Sequence, residues 1–357
     1  MASLVDVSAR IAKLGLPKHA AILMYHMFAL SKTQFVAQLR NPPREIEDAE
    51  KTALQNIIGG PANWISKDLL FALKEEHALP TSVRSLRWTA ESAMLKVALS
   101  TERGWKRLRT DTLDSLQDGE VFLIHPLREW IPQTAIPQLQ QALQNFDRDG
   151  WAKEFKTKRK RSGHSDATRH MQASIYNHIL RKKRTTFLGD ALSRRLRRWQ
   201  LSEAPRCLAR RACRHLKTLN GRVAPCVSFA LLNTWMNGWT TARRFQSTAA
   251  CVLCDGDYGA DSIEHYCFCP VQREATRRLS RFPVKGSMVE FMCLTAMESD
   301  QLCVRASICY SVRKATNIRR ADAVRGSFEQ NVKLICRCHD VALAASQKYR
   351  TIYCSRT

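Results

Sequence analysis

Apolar residues recur at helical spacing through most of the first 150 residues. Candidate helices cover roughly residues 4–14, 18–30, 44–57, 66–77, 83–99 and 135–146. Breaks fall at 41–43, at 59–61 and at Pro80, because proline and glycine interrupt a helix. The single strand candidate is the short apolar run 120–127, for which a loop docked on the core is the alternative. The pattern predicts a helical region over residues 1–150.

Two further apolar stripes lie in the second half of the chain. Leu188, Leu192, Leu196 and Trp199 are spaced by four, four and three residues, so they share one face of a helix. Residues 223–245 repeat this spacing with large apolar side chains, namely Phe229, Leu232, Trp235, Met236 and Trp239. Packing in a helical core explains both stripes without a ligand. The predicted fold class is therefore mainly α.

Basic residues are concentrated in one segment. The formal net charge is +25, and residues 151–222 hold 21 Lys and Arg against 4 Asp and Glu. Residues 1–150 hold 18 against 17, and residues 223–357 hold 18 against 11. A concentrated positive block attracts polyanions and releases their counterions on contact. Nucleic acid, RNA or DNA, is therefore the predicted partner, and no small-molecule substrate is expected.

The candidate nucleic-acid contacts lie in three runs. Residues 156–169 are almost without apolar side chains and are predicted to form a linker. The candidates are Lys156, Lys158, Arg159, Lys160 and Arg161 in this linker, Arg194, Arg195, Arg197 and Arg198 around the leucine stripe, and Arg243 and Arg244 further on. A solvated charged helix face is the alternative for the arginines around the stripe. The basic part of the linker also fits a nuclear import signal, with a phosphate-binding or merely solvated linker as the alternative.

Cysteine usage and the amino-terminal sequence indicate the compartment. All thirteen cysteines lie at or after Cys207, and the odd number argues against complete disulfide pairing. The amino terminus lacks the continuous apolar core of a secretory signal. The longest apolar run, residues 19–30, is interrupted by His26 and is too short to cross a bilayer. We therefore expect a nuclear protein or a cytoplasmic ribonucleoprotein component, neither secreted nor bound to a membrane.

Four potential zinc ligands follow one another in the pattern Cys-x2-Cys-x10-His-x3-Cys. They are Cys251, Cys254, His265 and Cys269. Cys267 is an alternative fourth ligand, but residues i and i+4 of a helical turn converge on one point, whereas i and i+2 do not. Four protein ligands leave no position for a water molecule, so the spacing predicts structural rather than catalytic Zn²⁺. A chance cluster of free thiols is the other interpretation.

Residues 231–273 resemble the carboxy-terminal zinc-knuckle segment of LINE-type (non-long-terminal-repeat) retrotransposon reverse transcriptases. In that family a helix bearing aromatic and arginine residues precedes Cys-x-x-Cys, and an acidic residue leads into His and Cys-Pro. The counterparts here are Trp235 to Arg244, Cys251, Cys254, Asp261 with Glu264, His265, and Cys269 with Pro270. Many relatives place four residues between the His and the last Cys, whereas this chain has three, so Cys267 stays an alternative ligand.

Residues 24–65 are similar to the helical thumb and connection region that follows the polymerase palm in the same family. The similarity rests on Ser31-Lys32, Gln38, the proline pair 42–43 and the Gly-Pro before Trp64. Together the two resemblances predict four regions. These are a thumb-like region 1–150, a basic linker with helices 151–222, a zinc-knuckle module 223–285 and a helical tail of unknown role 286–357.

The resemblance implies nucleic-acid binding without catalysis. The polymerase centre of the family needs a Tyr-x-Asp-Asp turn, because two carboxylates hold the catalytic metal ions. No Asp-Asp pair occurs in this chain, and the acidic residues after the knuckle are too scattered for a nuclease. We therefore expect a non-enzymatic carboxy-terminal fragment of such a reverse transcriptase. The alternatives are part of an active RNA-directed DNA polymerase and endonuclease polyprotein, and a degenerate gene product without function.

Overall fold

The fold is mainly α, as the apolar pattern predicts. The computed structural model describes residues 2–31, 42–43, 45–61, 64–74, 79–99, 141, 143–162, 171–254, 259–283, 286–322 and 326–354. Within these ranges, extended segments pair at one isolated antiparallel bridge, between Ala250 and Ala260. The strand candidate 120–127 and most of the helix candidate 135–146 lie outside the described residues. None of the described helices has both the length and the hydropathy of a membrane span.

Among the described residues, the first five helices agree with the predicted ones to within a few residues, apart from the fourth, which ends at Phe71; residues 75–77 of that candidate lie outside the described residues. They are α1 (Ala2–Lys13), α2 (Lys18–Tyr25), α3 (Ile46–Ile58), α4 (Lys67–Phe71) and α5 (Leu86–Leu99). A π-helical turn, His26–Leu30, continues α2 without a break. The apolar spacing therefore suffices to locate these elements.

Ten helices follow within the described part of the chain, and prolines open three of them. They are α6 (Arg148–Ser162), α7 (Met171–Lys183), α8 (Leu188–Leu196), α9 (Pro205–Leu219), α10 (Pro225–Trp235), α11 (Ile263–Phe268), α12 (Pro270–Leu279), α13 (Met288–Phe291), α14 (Ser299–Asp322) and α15 (Phe328–Cys354). Proline suits the first turn because its missing N–H would have no partner inside the helix. One short 3₁₀ turn, Arg197–Trp199, follows α8. A second, Arg243–Phe245, precedes the segment that begins with Cys251.

The predicted linker at 156–169 is wrong in its first half, because α6 continues to Ser162. Lys and Arg are good helix formers, so a helix can extend beyond the point where apolar residues stop. The structure describes only the backbone of residues 156–162, and residues 163–170 lie outside the described ranges.

The chain divides into two compact units, each assembled from separated segments. The first consists of Met1–Gly15, Leu23–Ile57 and Val83–Thr185. Within it α5 packs against α7, and a core forms around side chains that include Met94, Leu95, Trp151, Met171 and Ile175. The second unit consists of Leu16–Ile22, Ile58–Ser82 and Thr186–Thr357.

The second unit contains the four predicted metal ligands and is built on helix pairs. In it α8 packs against α9, α10 against α14, and α15 against both α12 and α14. The stripe residues Leu188, Leu192 and Leu196 are buried, as are Trp235 and Trp239. The Trp235 Nε1 donates a hydrogen bond to the Met292 carbonyl at 2.6 Å, which satisfies the one polar atom of this buried side chain. Both stripes are core as predicted, except that Trp199 lies in the 3₁₀ turn after α8 and is half-buried.

Candidate metal centre and nucleic-acid interface

The four predicted ligands lie together in the second unit. One ligand atom from each of Cys251, Cys254, His265 and Cys269 lies within 4.8 Å of all the others. A tetrahedral ion with metal–sulfur bonds of about 2.3 Å separates its ligands by about 3.7 Å. Two thiolates from a Cys-x-x-Cys turn, a third thiolate and an imidazole are the donors of many tetrahedral sites. The set can therefore bind a metal ion.

A closed loop presents the first two ligands. The Cys251 N–H donates to the Gly259 carbonyl at 3.2 Å, and the Asp261 N–H donates to the Ala249 carbonyl at 3.0 Å. These two bonds flank the bridge between Ala250 and Ala260 and fold the chain back on itself. The Leu253 N–H lies 3.4 Å from the Cys251 Sγ, the kind of backbone contact that stabilises a thiolate within such a turn.

The other two ligands lie on helix α11 and at the residue that follows it. The Ser262 Oγ accepts a hydrogen bond from the His265 N–H at 3.0 Å and caps the start of the helix. This cap places His265 in the first turn. Cys269 stands between α11 and α12, where Pro270 begins the next helix. The local sequence Ser-x-x-His followed by Cys-Pro therefore fixes the positions of both ligands.

Cys267 points away from the ligand cluster. Its Sγ donates to the Ile263 carbonyl at 3.2 Å within α11, and burial raises the pKa of its thiol well above the ordinary value. A residue two positions after His265 in a helix lies on a different face. The structure thus groups Cys269, and not Cys267, with the other three.

Contact between Cys251 and Cys269 shifts the pKa values of the two thiols in opposite directions. The hydrogen bond from Cys269 lowers the pKa of Cys251, and the same contact, together with burial, raises the pKa of Cys269. The Cys254 Sγ lies 3.3 Å from the His265 Nε2. Binding of a metal ion requires the thiolate form of each cysteine and therefore releases protons.

Gly259 leaves room for the histidine ligand. A Cβ built at this position would lie 2.6 Å from the His265 Nδ1, and the backbone φ of +148° also disfavours a side chain. Any larger residue must displace the imidazole or the loop. Glycine is therefore required here by a close approach to the ligand itself.

Asp261 joins the metal loop to the rest of the unit. Its carboxylate is buried and accepts hydrogen bonds from the Ala242 N–H at 2.9 Å, the Tyr266 hydroxyl at 2.6 Å and the Arg320 guanidinium at 2.6 Å. The sequence indicates Asp261 only through the family resemblance. Arg320 gives no local signal, because it lies 59 residues further along the chain on α14.

Asn331 makes a second connection, from α15. Its Nδ2 donates to the Leu253 carbonyl at 2.7 Å and to the Gly326 carbonyl at 2.8 Å, while its Oδ1 accepts from the Arg319 Nε at 2.6 Å. The Cys251–Cys254 turn is thereby held against the long helices. Sequence reasoning missed this residue, since a lone Asn in a helix carries no ligand pattern.

Four of the predicted arginines form a cluster. Arg194 and Arg198 are exposed, whereas Arg195 and Arg244 are half-buried. Partial burial, and then the like charges of Arg198, Arg244 and Arg194, lower the pKa of Arg195. Burial and the charge of Arg198 likewise lower the pKa of Arg244. The fold therefore brings arginines from α8, its 3₁₀ turn and the segment after α10 into one positive surface.

The remaining predicted contacts are placed differently. Arg197 is exposed at the start of the 3₁₀ turn. Arg243 forms an ion pair with Glu264 at 3.0 Å, and Glu264 also accepts a hydrogen bond from the Trp199 Nε1 at 3.0 Å. Lys156, Lys158, Arg159, Lys160 and Arg161 lie on α6, where the structure describes the backbone alone.

A pocket of about 380 Å³ adjoins the arginine cluster. Its lining consists of Trp64, Ile65, Ser66, Leu69, Thr186, Ala191, Arg194, Arg195, Arg198 and Met236. Sequence reasoning missed this pocket, because its walls come from three separated segments and only the arginines had been singled out.

No protein-family description, no curated protein and no solved structure matches the chain.

Replacing Gly259 with Ala should weaken metal binding. The new methyl group displaces His265, and misplacing one ligand through its surroundings typically costs about 10- to 100-fold in metal affinity. Competition with a chromophoric chelator measures the affinity. Gly189→Ala is the matched control, because a Cβ at Gly189 on α8 meets open space. Equal affinities for the two variants would contradict the proposed role of Gly259.

Proposed function

We propose that the four-ligand cluster holds a structural Zn²⁺ ion. Three cysteines and one histidine are donors that zinc prefers, and they complete a tetrahedral set without water. All three cysteines are buried, and His265 is half-buried. A fully ligated, buried ion of this kind stabilises a loop and has no position at which to activate a substrate.

We further propose that the chain binds nucleic acid through its phosphates. The observation that carries this proposal is the arginine cluster of Arg194, Arg195, Arg198 and Arg244, in which partial burial and then the like charges of neighbouring arginines lower the pKa values of Arg195 and Arg244. Concentrated positive charge on a surface is relieved by an anionic partner, and Arg pairs with phosphate in a bidentate manner. The zinc loop and Asp261 support this surface, because Asp261 fixes Ala242 just before Arg243 and Arg244.

The parent protein, we propose, is a LINE-type retrotransposon reverse transcriptase, of which this chain is a carboxy-terminal fragment. The support is the order of an aromatic helix, two arginines, Cys-x-x-Cys, Asp261, His265 and Cys269-Pro270 in the sequence. The fragment holds RNA or DNA and has no polymerase or nuclease activity of its own. Its place of action is the nucleus or a cytoplasmic ribonucleoprotein.

Purified protein should contain about one zinc ion per chain, because four protein ligands saturate one tetrahedral ion. Elemental analysis by mass spectrometry checks this number. Cys269→Ser should lose the metal, whereas the matched variant Cys267→Ser should keep it. Chelation should unfold residues 245–285, since zinc contributes roughly 10–16 kcal/mol of apparent binding energy in finger peptides. Loss of zinc from the Cys267 variant alone would reassign the fourth ligand.

Replacing Arg194, Arg195, Arg197 and Arg198 with Ala should flatten the salt dependence of nucleic-acid binding. Each phosphate contact contributes about 0.9 to the slope of log affinity on log salt for duplex DNA and about 0.7 for single strands. Salt titrations with labelled RNA and DNA measure the slope. The control replaces four exposed basic residues elsewhere in the second unit, Lys314, Lys333, Arg337 and Lys348. Identical slopes for both variants would mean that the arginine cluster only faces solvent.

Primer-extension and nicking assays with Mg²⁺ or Mn²⁺ should yield no product, because the chain lacks the paired carboxylates that hold catalytic metal ions. Active reverse transcriptase serves as the positive control. Template-dependent product that a single Asp→Ala change abolishes would identify the chain as part of an active polymerase instead.

A further inference from the structure

The pocket beside the arginine cluster has two chemically different sides. Arg194, Arg195 and Arg198 supply one side, from α8 and the turn that follows it. Leu69 and Met236, both buried, contribute to the other side. Its volume of about 380 Å³ falls in the range of about 300–1,000 Å³ that is typical of sites for small molecules. The pocket can therefore hold a group that is both anionic and partly apolar.

The apolar side is held rigidly by Trp64. The Trp64 Nε1 donates to the Gly59 carbonyl at 2.8 Å. A Cβ at Gly60 would lie 3.1 Å from the indole, and one at Gly238 would lie 2.8 Å from it. Because two glycines allow the backbone to approach the ring this closely, the indole has little freedom to move. The floor of the pocket is thus formed before any ligand arrives.

The charged side is suited to an anion. Partial burial and three neighbouring arginines act together on Arg195, so each positive charge there is unfavourable for the others. The Ser66 hydroxyl can donate a further hydrogen bond to an anion. Ser66 lines the pocket, is exposed, and makes no capping hydrogen bond to α4. Guanidinium groups and a hydroxyl are common donors to phosphate oxygens.

We propose that this pocket receives one unpaired nucleotide of a single-stranded nucleic acid, with its phosphate on the arginines and its base or sugar on the apolar floor. This inference rests on the proposed function and names the form of nucleic acid that the site prefers. In a duplex the bases are stacked and paired, so only phosphates would reach the arginines and the floor would stay empty. An unpaired nucleotide presents a phosphate and an apolar ring together.

Two single substitutions test the space in the pocket and its charge independently. Ala191→Met fills the floor from α8 without changing the charge, and Met is a good helix former. Ser66→Asp adds a carboxylate to the pocket that the arginines line, at an exposed position where Asp caps a helix as well as Ser does. Arg337→Ala is the matched control, because it changes the net charge by the same amount at an exposed position on α15.

The experiment compares a labelled ten-nucleotide single strand with a duplex of the same sequence, at one fixed salt concentration, by fluorescence anisotropy. Both pocket variants should bind the single strand about tenfold more weakly, because seating one base contributes on the order of tenfold in affinity. Ala191→Met should change duplex affinity by less than about twofold, as should Arg337→Ala for both forms. Ser66→Asp should weaken duplex binding as well, but clearly less than single-strand binding, because duplex phosphates reach the same arginines. Zinc content and helical circular dichroism verify that each variant is folded, and Ser66→Asp tests the proposal even if Ala191→Met does not fold.

Several outcomes would overturn the inference. Unchanged single-strand affinity in Ser66→Asp, or equal loss on single strand and duplex, would exclude a nucleotide seat while leaving phosphate binding by the protein intact. Displacement of the oligonucleotide by micromolar nucleoside monophosphate would identify the pocket as a site for a free nucleotide. Failure of the wild-type protein to bind either form would refute the proposed function itself.

Discussion

The buried carboxylate of Asp261 is the interaction on which the second unit depends. The residue is only about 3% exposed, and a buried charge is costly unless donors surround it. Here the donors come from three places: the Ala242 backbone, the Tyr266 hydroxyl and the Arg320 guanidinium. One side chain therefore connects the segment that carries Arg243 and Arg244, the helix that carries His265, and the long helix α14. Removing the carboxylate would leave the Arg320 guanidinium without this ion-pair partner.

The metal site and Asp261 fasten the same loop at different points. Backbone hydrogen bonds close the loop between Cys251 and Gly259, and Asn331 on α15 donates a hydrogen bond to the Leu253 carbonyl in this loop. Apart from the cysteines, the buried apolar side chains among the described residues of 251–269 are few, namely Leu253, Ile263 and Tyr266. A segment with so small a core needs ligation or charged hydrogen bonds for its stability. A bound ion would join Cys251 to Cys269 directly, while the carboxylate positions the surrounding elements.

Local patterns predict part of this arrangement, and long-range contacts account for the rest. The leucine stripe of α8 and the aromatic stripe of α10 are buried as their spacing indicates, and the four ligands with Cys-x-x-Cys spacing lie together. The partner of Asp261 could not be inferred, because it is an arginine among many on a distant helix. The pocket, and the position of Trp64 in its lining, were missed because the lining comes from three separated segments. The linker assignment failed because charge composition was given more weight than the helix propensity of Lys and Arg.

The positive surface follows from the burial of α8. Leu188, Leu192 and Leu196 of this helix are buried, and the burial fixes Arg194 and Arg195 on α8, and Arg198 on the turn that follows, where all three line the pocket. Packing of the 3₁₀ turn Arg243–Phe245 beside Asp261 adds Arg244 to the same region. The apolar core thus holds like charges close together at an electrostatic cost. An anion that binds the folded form relieves this repulsion, so binding and folding stabilise each other. Hydrophobic packing, rather than any attraction among the arginines, creates the surface that a phosphate can occupy.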